Sequence, residues 1–438
     1  MNTLRATIAM ITALPLLLAP RNAMAQSRDT STATAVVESK SFGSYTPGGG
    51  FKIANTDKGD LNVAIYTYVR YLNQLGLDST YTDALGTTKS LLRRQDLQVQ
   101  KVNIKFFGWL LNPKFRYLAY VWTSNTSQGQ AAQVVVAGNL QYNFNEHFTV
   151  GGGIDALPGV RSTEGNFPFW LSVDNRQVAT EFFRPSYTTG IWAKGTVVDR
   201  LSYRVMLGNN LSQLGIDAGQ LDNSLNTWAT ALIWLPTTGE FGNRGGAGDF
   251  EVHNKLATRL AVHYTRSDED FQGQADNSSF ENVQLRLSNG GIVFTPDLFG
   301  SGIWVQQAQY QMTSVDAGVK YRGLSLDGEH YWRLIDNFRG PETSGLAVLR
   351  DHGFQLQASA MVLPQQLQLY ASGSKIFGEY GNPSDVRLGV NWFPMKNQVV
   401  RWNAEYLHLD QSPVGGNSLP YVVGGNGAVF YTSFEVNF

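Results

Sequence analysis

The chain has 438 residues with no cysteine, 16% charged and 12% aromatic residues, 45 glycines and a formal net charge of −1. Without cysteine there are no disulfides, thiolate metal sites or cysteine nucleophiles, and near-neutrality offers nucleic acid no electrostatic footprint. A charged fraction well below the roughly 25% of an average soluble domain leaves few salt-bridged surface helices, and the many glycines mark turns or close backbone contacts.

A basic start with Arg5, an apolar run from Ala6 to Ala19 and the small-x-small pattern Ala23-Met24-Ala25 predict a signal peptide over 1–25, with Gln26 as the first mature residue. Pro15 and Pro20 break the run, which is shorter than the roughly 20 residues of a bilayer helix. Losing Arg5 and Arg21 makes the mature chain slightly more acidic. The Ser-, Thr- and Gly-rich stretch 26–59 reads as a flexible periplasmic extension, and no linker composition divides 60–438, which reads as one domain. No later segment reaches about 18 uninterrupted apolar residues, so a membrane crossing here requires strands.

Period-two alternation in segments of about ten residues is the signal that recurs. In 61–71, Leu61, Val63, Ile65, Val69 and Tyr71 share one face while Asn62, Tyr66, Tyr68 and Arg70 take the other. Similar patterns predict strands at 93–109, 114–124, 131–144, 148–157, 186–197, 201–209, 226–235, 255–266, 304–322, 324–335, 352–362, 366–377, 384–393, 399–410 and 428–438, giving sixteen in all. Tight connections such as Leu111-Asn112-Pro113 and Arg322-Gly323 alternate with long ones at 158–185, 210–225, 267–303, 336–351 and 411–427. That alternation predicts an all-β transmembrane antiparallel β-barrel with long extracellular loops and periplasmic termini. Two places strain the count. The glycine-rich 236–254 stretch falls on the short-turn side but is long, and 283–287 with Asn289-Gly290-Gly291 reads either as an extracellular hairpin or as two further strands, making eighteen. The last strand ends on Phe438 with its ring on the lipid face.

The water-facing partners of each alternation give the candidate pore lining. They are Arg70, Lys194, Arg204, Arg259, Lys320, Arg333, Arg387 and Arg401, against the acids Asp316, Asp327, Glu329, Glu405 and Glu435. Strand 93–109 needs a bulge near Gln100-Lys101 to keep its apolar parity, which turns Arg94, Lys101 and Lys105 inward and leaves Arg116, on the next strand, outward. Inward basic groups then outnumber acidic ones about two to one. The alternative is local pairing, with Asp316 and Glu329 neutralising Lys320 and Arg333. The 158–185 loop reads as a constriction that folds inward, because Phe167, Phe169, Trp170, Phe182 and Phe183 gain a wall to pack on. Its Arg161, Asp174 and Arg176 bring mixed charge; packing on a neighbouring subunit or over the barrel top is the other reading.

Leu92-Arg93-Arg94-Gln95-Asp96-Leu97, Lys114-Phe115-Arg116-Tyr117, Leu201-Ser202-Tyr203-Arg204-Val205-Met206 and Leu388-Gly389-Val390-Asn391-Trp392-Phe393 resemble the phosphate-selective porin family of the porin O and P type. The resemblance implies a sixteen-stranded homotrimeric porin with an inward constriction loop and basic residues along an anion path, on which Arg93 and Arg94 match the family's double arginine. The family's further arginine ladder and constriction-loop lysine have no residue-by-residue match.

No Gly-x-Ser-x-Gly elbow, His-Glu-x-x-His helix or phosphate-cradling Gly-rich loop with Lys occurs, so no enzyme, metal centre or cofactor is expected. His263 faces the lumen with no nucleophile placed beside it, and Ser267-Asp268-Glu269-Asp270 reads as a solvated acidic run at a loop tip or as a calcium site. The expected function is an outer-membrane porin of a Gram-negative-type bacterium, a water-filled channel for small hydrophilic solutes and ions with a modest anion preference. A phosphate- or polyphosphate-selective channel and a plugged structural or adhesive barrel are the alternatives.

Overall fold

The computed structural model describes residues 45–46, 49–124, 133–212, 224–271, 285–416 and 419–438. Its long strands follow the chain as β1 (Gly59–Leu77), β2 (Gln95–Leu110), β3 (Asn112–Ser124), β4 (Gln133–Asn145), β5 (Phe148–Ala156), β6 (Tyr187–Val198), β7 (Leu201–Gly208) and β8 (Thr227–Trp234). They continue as β9 (Ala257–Asp270), β10 (Gln307–Tyr321), β11 (Leu324–Arg339), β12 (Leu349–Leu363), β13 (Leu367–Phe377), β14 (Ser384–Trp392), β15 (Val400–Asp410) and β16 (Gly427–Asn437). Each pairs antiparallel with the next, and β16 pairs with β1 through Ser433↔Arg70 and Thr432↔Tyr71, so the sheet closes into a barrel. Closure leaves no unpaired edge to lipid. The predicted signal peptide lies outside the described residues.

The alternation has the expected physical cause. Outward positions such as Leu207, Leu232, Val262, Leu326, Leu356 and Leu388 are exposed apolar side chains, while their neighbours in sequence turn into the barrel. Trp234, Trp392, Trp402 and Phe434 lie outward near the short-turn end, where aromatic rings suit a membrane interface. Among the described residues no helix is long and apolar enough to cross a membrane.

The predicted bulge is present: Tyr68 faces Lys101 and Val69 faces Val99, so Gln100 is the extra residue. The Arg322-Gly323 turn has both central residues at positive φ, 49° and 84°, the conformation that matches the right-handed twist of a two-residue hairpin. The expected sixteen strands form: among the described residues, 285–292 make a single isolated bridge, Arg286↔Ile292, rather than two further strands. Two expectations are corrected. The described end of the 26–59 extension is ordered as a strand, Gly50–Thr56, folded back on Asp60 to Val63 of β1. Ser267 to Asp270 is the end of β9 rather than a loop tip, with Ser267 and Glu269 buried inward and Asp268 accepting from Gln309 at 2.7 Å.

Phe438 lies just beyond β16. Its backbone exchanges both hydrogen bonds with Ile65, at 2.9 and 2.6 Å, and its ring meets Phe51 edge-on at 5.9 Å. The barrel seam and the N-terminal strand are therefore fastened at one point.

Candidate channel constriction

The chain between β5 and β6, residues 157–186, enters the barrel. It carries a 3-10 turn, Arg161–Thr163, and one short helix, α1 (Val178–Phe183). Its hydrogen bonds and ion pairs to the wall reach β1, β2 and β9–β16, and among the described residues none goes to β3–β8. Asp174 binds Lys101 of β2 at 2.6 Å and accepts from Tyr68 of β1 at 2.9 Å. Arg401 of β15 donates to the Trp170 carbonyl at 2.6 Å, Asn391 of β14 to that of Leu171 at 2.9 Å, and Arg387 to that of Arg176 at 2.6 Å. Ser172 donates to Glu405, and Tyr370, lying flat on Gly389 where a Cβ has no room, donates to the same carboxylate. Buried carbonyls that no ladder satisfies thus find charged donors.

On its other flank the loop meets β9–β11. Arg161 pairs with Asp327, and its backbone N–H donates to Glu329 at 3.0 Å. Arg259 lies between Glu164 at 2.6 Å and Asp316 at 2.7 Å, and His263 meets Asp316 at 3.0 Å and the Pro158 carbonyl at 3.2 Å. The cluster of Glu164, His263 and Asp316 already holds a cation, the Arg259 guanidinium. Within α1, burial disfavours the Glu181 carboxylate, but Arg184 and Arg176 outweigh it and hold its pKa below the usual value.

Beyond the polar staples the loop is a hydrophobic core. Val178, Ala179, Phe182 and Phe183 pack against Tyr310, Tyr331, Ile376, Leu407 and Tyr431 of the wall, and beneath Leu285, Phe294, Leu419 and Val422 of the outer loops. Phe183 stacks on Tyr331 at 5.1 Å, and burying one such side chain contributes roughly 2–3 kcal/mol. The half of the lumen bounded by β10–β16 and β1 is therefore filled.

A second element enters from the opposite mouth. The connection between β8 and β9, residues 235–256, is the long stretch on the short-turn side. Lys320 of β10 donates to the carbonyls of Phe241 and Gly246, both at 2.8 Å, Gly323 donates its N–H to Asp249, and Phe250 packs on Phe393. Its own middle is held by His253, whose Nε2 faces Glu240 at 3.0 Å and whose Nδ1 faces Asp249. Burial lowers the His253 pKa, but the hydrogen bonds to Asp249 and Glu240 more than offset it, and the net shift is upward.

The predicted inward residues now sort by partner. Arg333 pairs with Asp351 at 2.6 Å, Arg387 with Asp385, Arg401 with Glu435 at 2.6 Å and Arg94 with Asp96, while Arg70 is buried and donates to Gln98. The wall acids Asp155, Asp351 and Asp385 are absent from the sequence tally, and with them the basic excess falls well short of two to one. Asp385 shares the parity of Arg387, and Asp351 sits one residue ahead of the predicted strand, so parity alone offered both. Arg93 is a correction. It precedes β2 with outward parity, and its guanidinium caps the carbonyls of Leu75 and Leu77 at the rim. Arg116 is another, since it faces Trp109 across β2 and β3 and so points inward.

Lys105, Lys194 and Arg204 behave differently. All three are inward and half-buried, Lys194 directly opposite Arg204 and Lys105 opposite Tyr120, and none has an ion-pair partner among the described residues. Lys194 and Arg204 lie on β6 and β7, in the sector the loop leaves unstapled, and Lys105 lies on β2 at its border.

No protein-family model and no curated sequence matches the chain. Solved structures do match it. Outer-membrane expressed OmpT of Vibrio cholerae has a TM-score of 0.52 at 10% identity, over 88% of this chain and 99% of that one. An anion-selective porin from Comamonas acidovorans scores 0.51 at 11% identity, over 86% and 100%, and the outer membrane channel DcaP of Acinetobacter baumannii 0.52 at 8%, over 89% and 100%. At such identities the likeness concerns architecture: the sixteen-stranded barrel of this chain has the fold of outer-membrane barrels.

Proposed function

We propose that the protein is an outer-membrane porin that passes small hydrophilic solutes and ions by diffusion, with a modest preference for anions. The observation that carries this is the uneven pairing of lumen charge. Cations on the filled side are each held by carboxylates or carbonyls, whereas Lys105, Lys194 and Arg204 have no carboxylate within ion-pair distance among the described residues. Fixed charges in a narrow aqueous path with low-dielectric walls raise the local concentration of counter-ions, here anions. The apolar outward face supports a membrane location, and the solved porins of the same fold support the channel reading. Arg93 lies off the lumen, which favours general anion preference over a phosphate-specific path.

The plugged structural barrel has its own support in the apolar packing of the inward loop. Planar-bilayer recording of purified protein in a dilute potassium chloride gradient separates the readings. A zero-current potential on the anion side is expected, a cation-side potential overturns the anion preference, and absence of conductance favours the plug.

A further inference from the structure

We propose that Arg244, carried by the 235–256 segment, is a selectivity-determining residue of the channel: the constriction has two lips, one from each mouth, and Arg244 is the charge that the second lip places on the ion path. This rests on the reading of the barrel as an anion-preferring channel.

The two lips touch. Arg244 Nη1 donates to the Phe167 carbonyl at 3.2 Å, Ala247 N–H donates to the Phe169 carbonyl at 2.9 Å, and Arg161 Nη2 donates to the Gly245 carbonyl at 3.3 Å. One carbonyl bond uses little of a guanidinium with five N–H donors. The Arg244 side chain is exposed and has no carboxylate within ion-pair distance among the described residues, while the nearby Arg161, Arg176 and Arg259 are all salt-bridged. Lys105 is near enough to feel its charge. Arg204 reaches the same stretch of loop, with Nη1 3.6 Å from where a Cβ on Gly165 would stand. Residues 165–167 thus meet Arg244 at Phe167 and, at Gly165, a wall cation without an ion pair among the described residues.

The backbone agrees. Arg244 has φ 51° and ψ 25°, between Gly242 and Gly245-Gly246, a left-handed conformation that glycine adopts without cost. Its ring contact, 5.7 Å to Phe169, is peripheral, so packing alone does not call for arginine there.

The test uses full-length protein in planar bilayers with a dilute potassium chloride gradient. R244Q is expected to lower the anion-to-cation permeability ratio about twofold and R244E to bring it to unity or below, with R244K keeping the wild-type ratio, since only charge at this position matters. Wild type that prefers anions, with all three variants unchanged, overturns the proposal. Because the chain has no cysteine, R244C supplies a second readout independent of selectivity. A negatively charged methanethiosulfonate reagent should attach there and reduce single-channel current in steps. Attachment confirmed by mass with no change in current places Arg244 off the path and overturns the proposal. Current block in a channel without anion preference would keep the second lip and overturn only the underlying selectivity.

Discussion

Lys101 and Asp174 form an ion pair 2.6 Å long at the point where the inward loop reaches the β2 bulge. It is the only ion pair between the loop and β2 among the described residues, and Tyr68 alone backs it with a hydrogen bond to the same carboxylate. Lys101→Met removes the cation and leaves a largely buried carboxylate, at a cost of roughly 3 kcal/mol. The expected result is noisier open-channel current and a lower temperature for heat-modified gel migration. The double change with Asp174→Asn should recover part of both.

Deleting Arg161 to Asn175 removes the loop's middle and leaves Asp327, Arg259 and Glu405 without loop partners. Single-channel conductance should rise and larger neutral solutes should enter, in a barrel less stable to heat. Unchanged conductance would mean that the ion path does not pass this loop.

The positions of the arginines yield a contrast. Lys194→Ala or Arg204→Ala should move the zero-current potential toward neutrality in dilute salt, where screening extends about 10 Å at 0.1 M. Arg93→Ala should leave it unchanged, because that side chain only caps two rim carbonyls. An equal effect from Arg93 would put the resemblance-derived double arginine back on the path.

His253 gives the 235–256 segment a pH dependence. Its pKa in the folded chain is raised above the usual 6.5, so its stabilisation is fully present below that value and is lost as pH rises through the folded pKa. For Glu240, burial raises the pKa, but the Gly242 N–H and His253 outweigh it and the net shift is below 4.5, so its contribution is present above 4.5 and lost as pH falls through the folded value. Amide hydrogen exchange over 240–254, corrected for intrinsic rate, should show protection falling on the alkaline side, and His253→Gln should remove that step.

Period two was enough to find the barrel because lipid and lumen impose opposite demands on alternate residues, and a one-residue error would invert them all. That logic located Arg259, Arg333, Arg387 and Arg401 on the lumen face, and the bulge at Gln100 as well. Arg93 entered through the family resemblance alone; parity sets it opposite to Arg94 and so outward, where its guanidinium caps the rim carbonyls. Partners were not legible at all. Whether Arg401 is a free cation or bound to Glu435 depends on register across β15 and β16, which no local pattern encodes. The fold of 235–256 depends on carbonyls reaching Lys320, and a carbonyl carries no sequence signature. The acids Asp351 and Asp385 were within reach of the parity argument, which simply did not extend to them.

Removing Phe438 deletes two backbone hydrogen bonds at the seam between Ile65 and the carboxyl end, together with the ring contact to Phe51. Export of the chain should be unaffected, while the amount recovered as heat-modifiable barrel in the outer membrane should fall. Wild-type abundance of the truncated chain in that membrane would show that closure does not depend on this residue.

The lopsided filling of the lumen has a mechanical side. Behind β10–β16 and β1 the wall is backed by packed side chains from the loop and helix α1, so it bends as a thick shell; among the described residues β6 and β7 meet only Leu157 of the loop's apolar core and β3–β5 none of it, so this sector bends more nearly as a single layer. Bending stiffness rises steeply with thickness, so lateral pressure and thickness mismatch from the bilayer should deform the barrel across β3–β7 first. The cations Lys194 and Arg204 stand on that compliant wall, and the width of the ion path should therefore respond to the lipid around it.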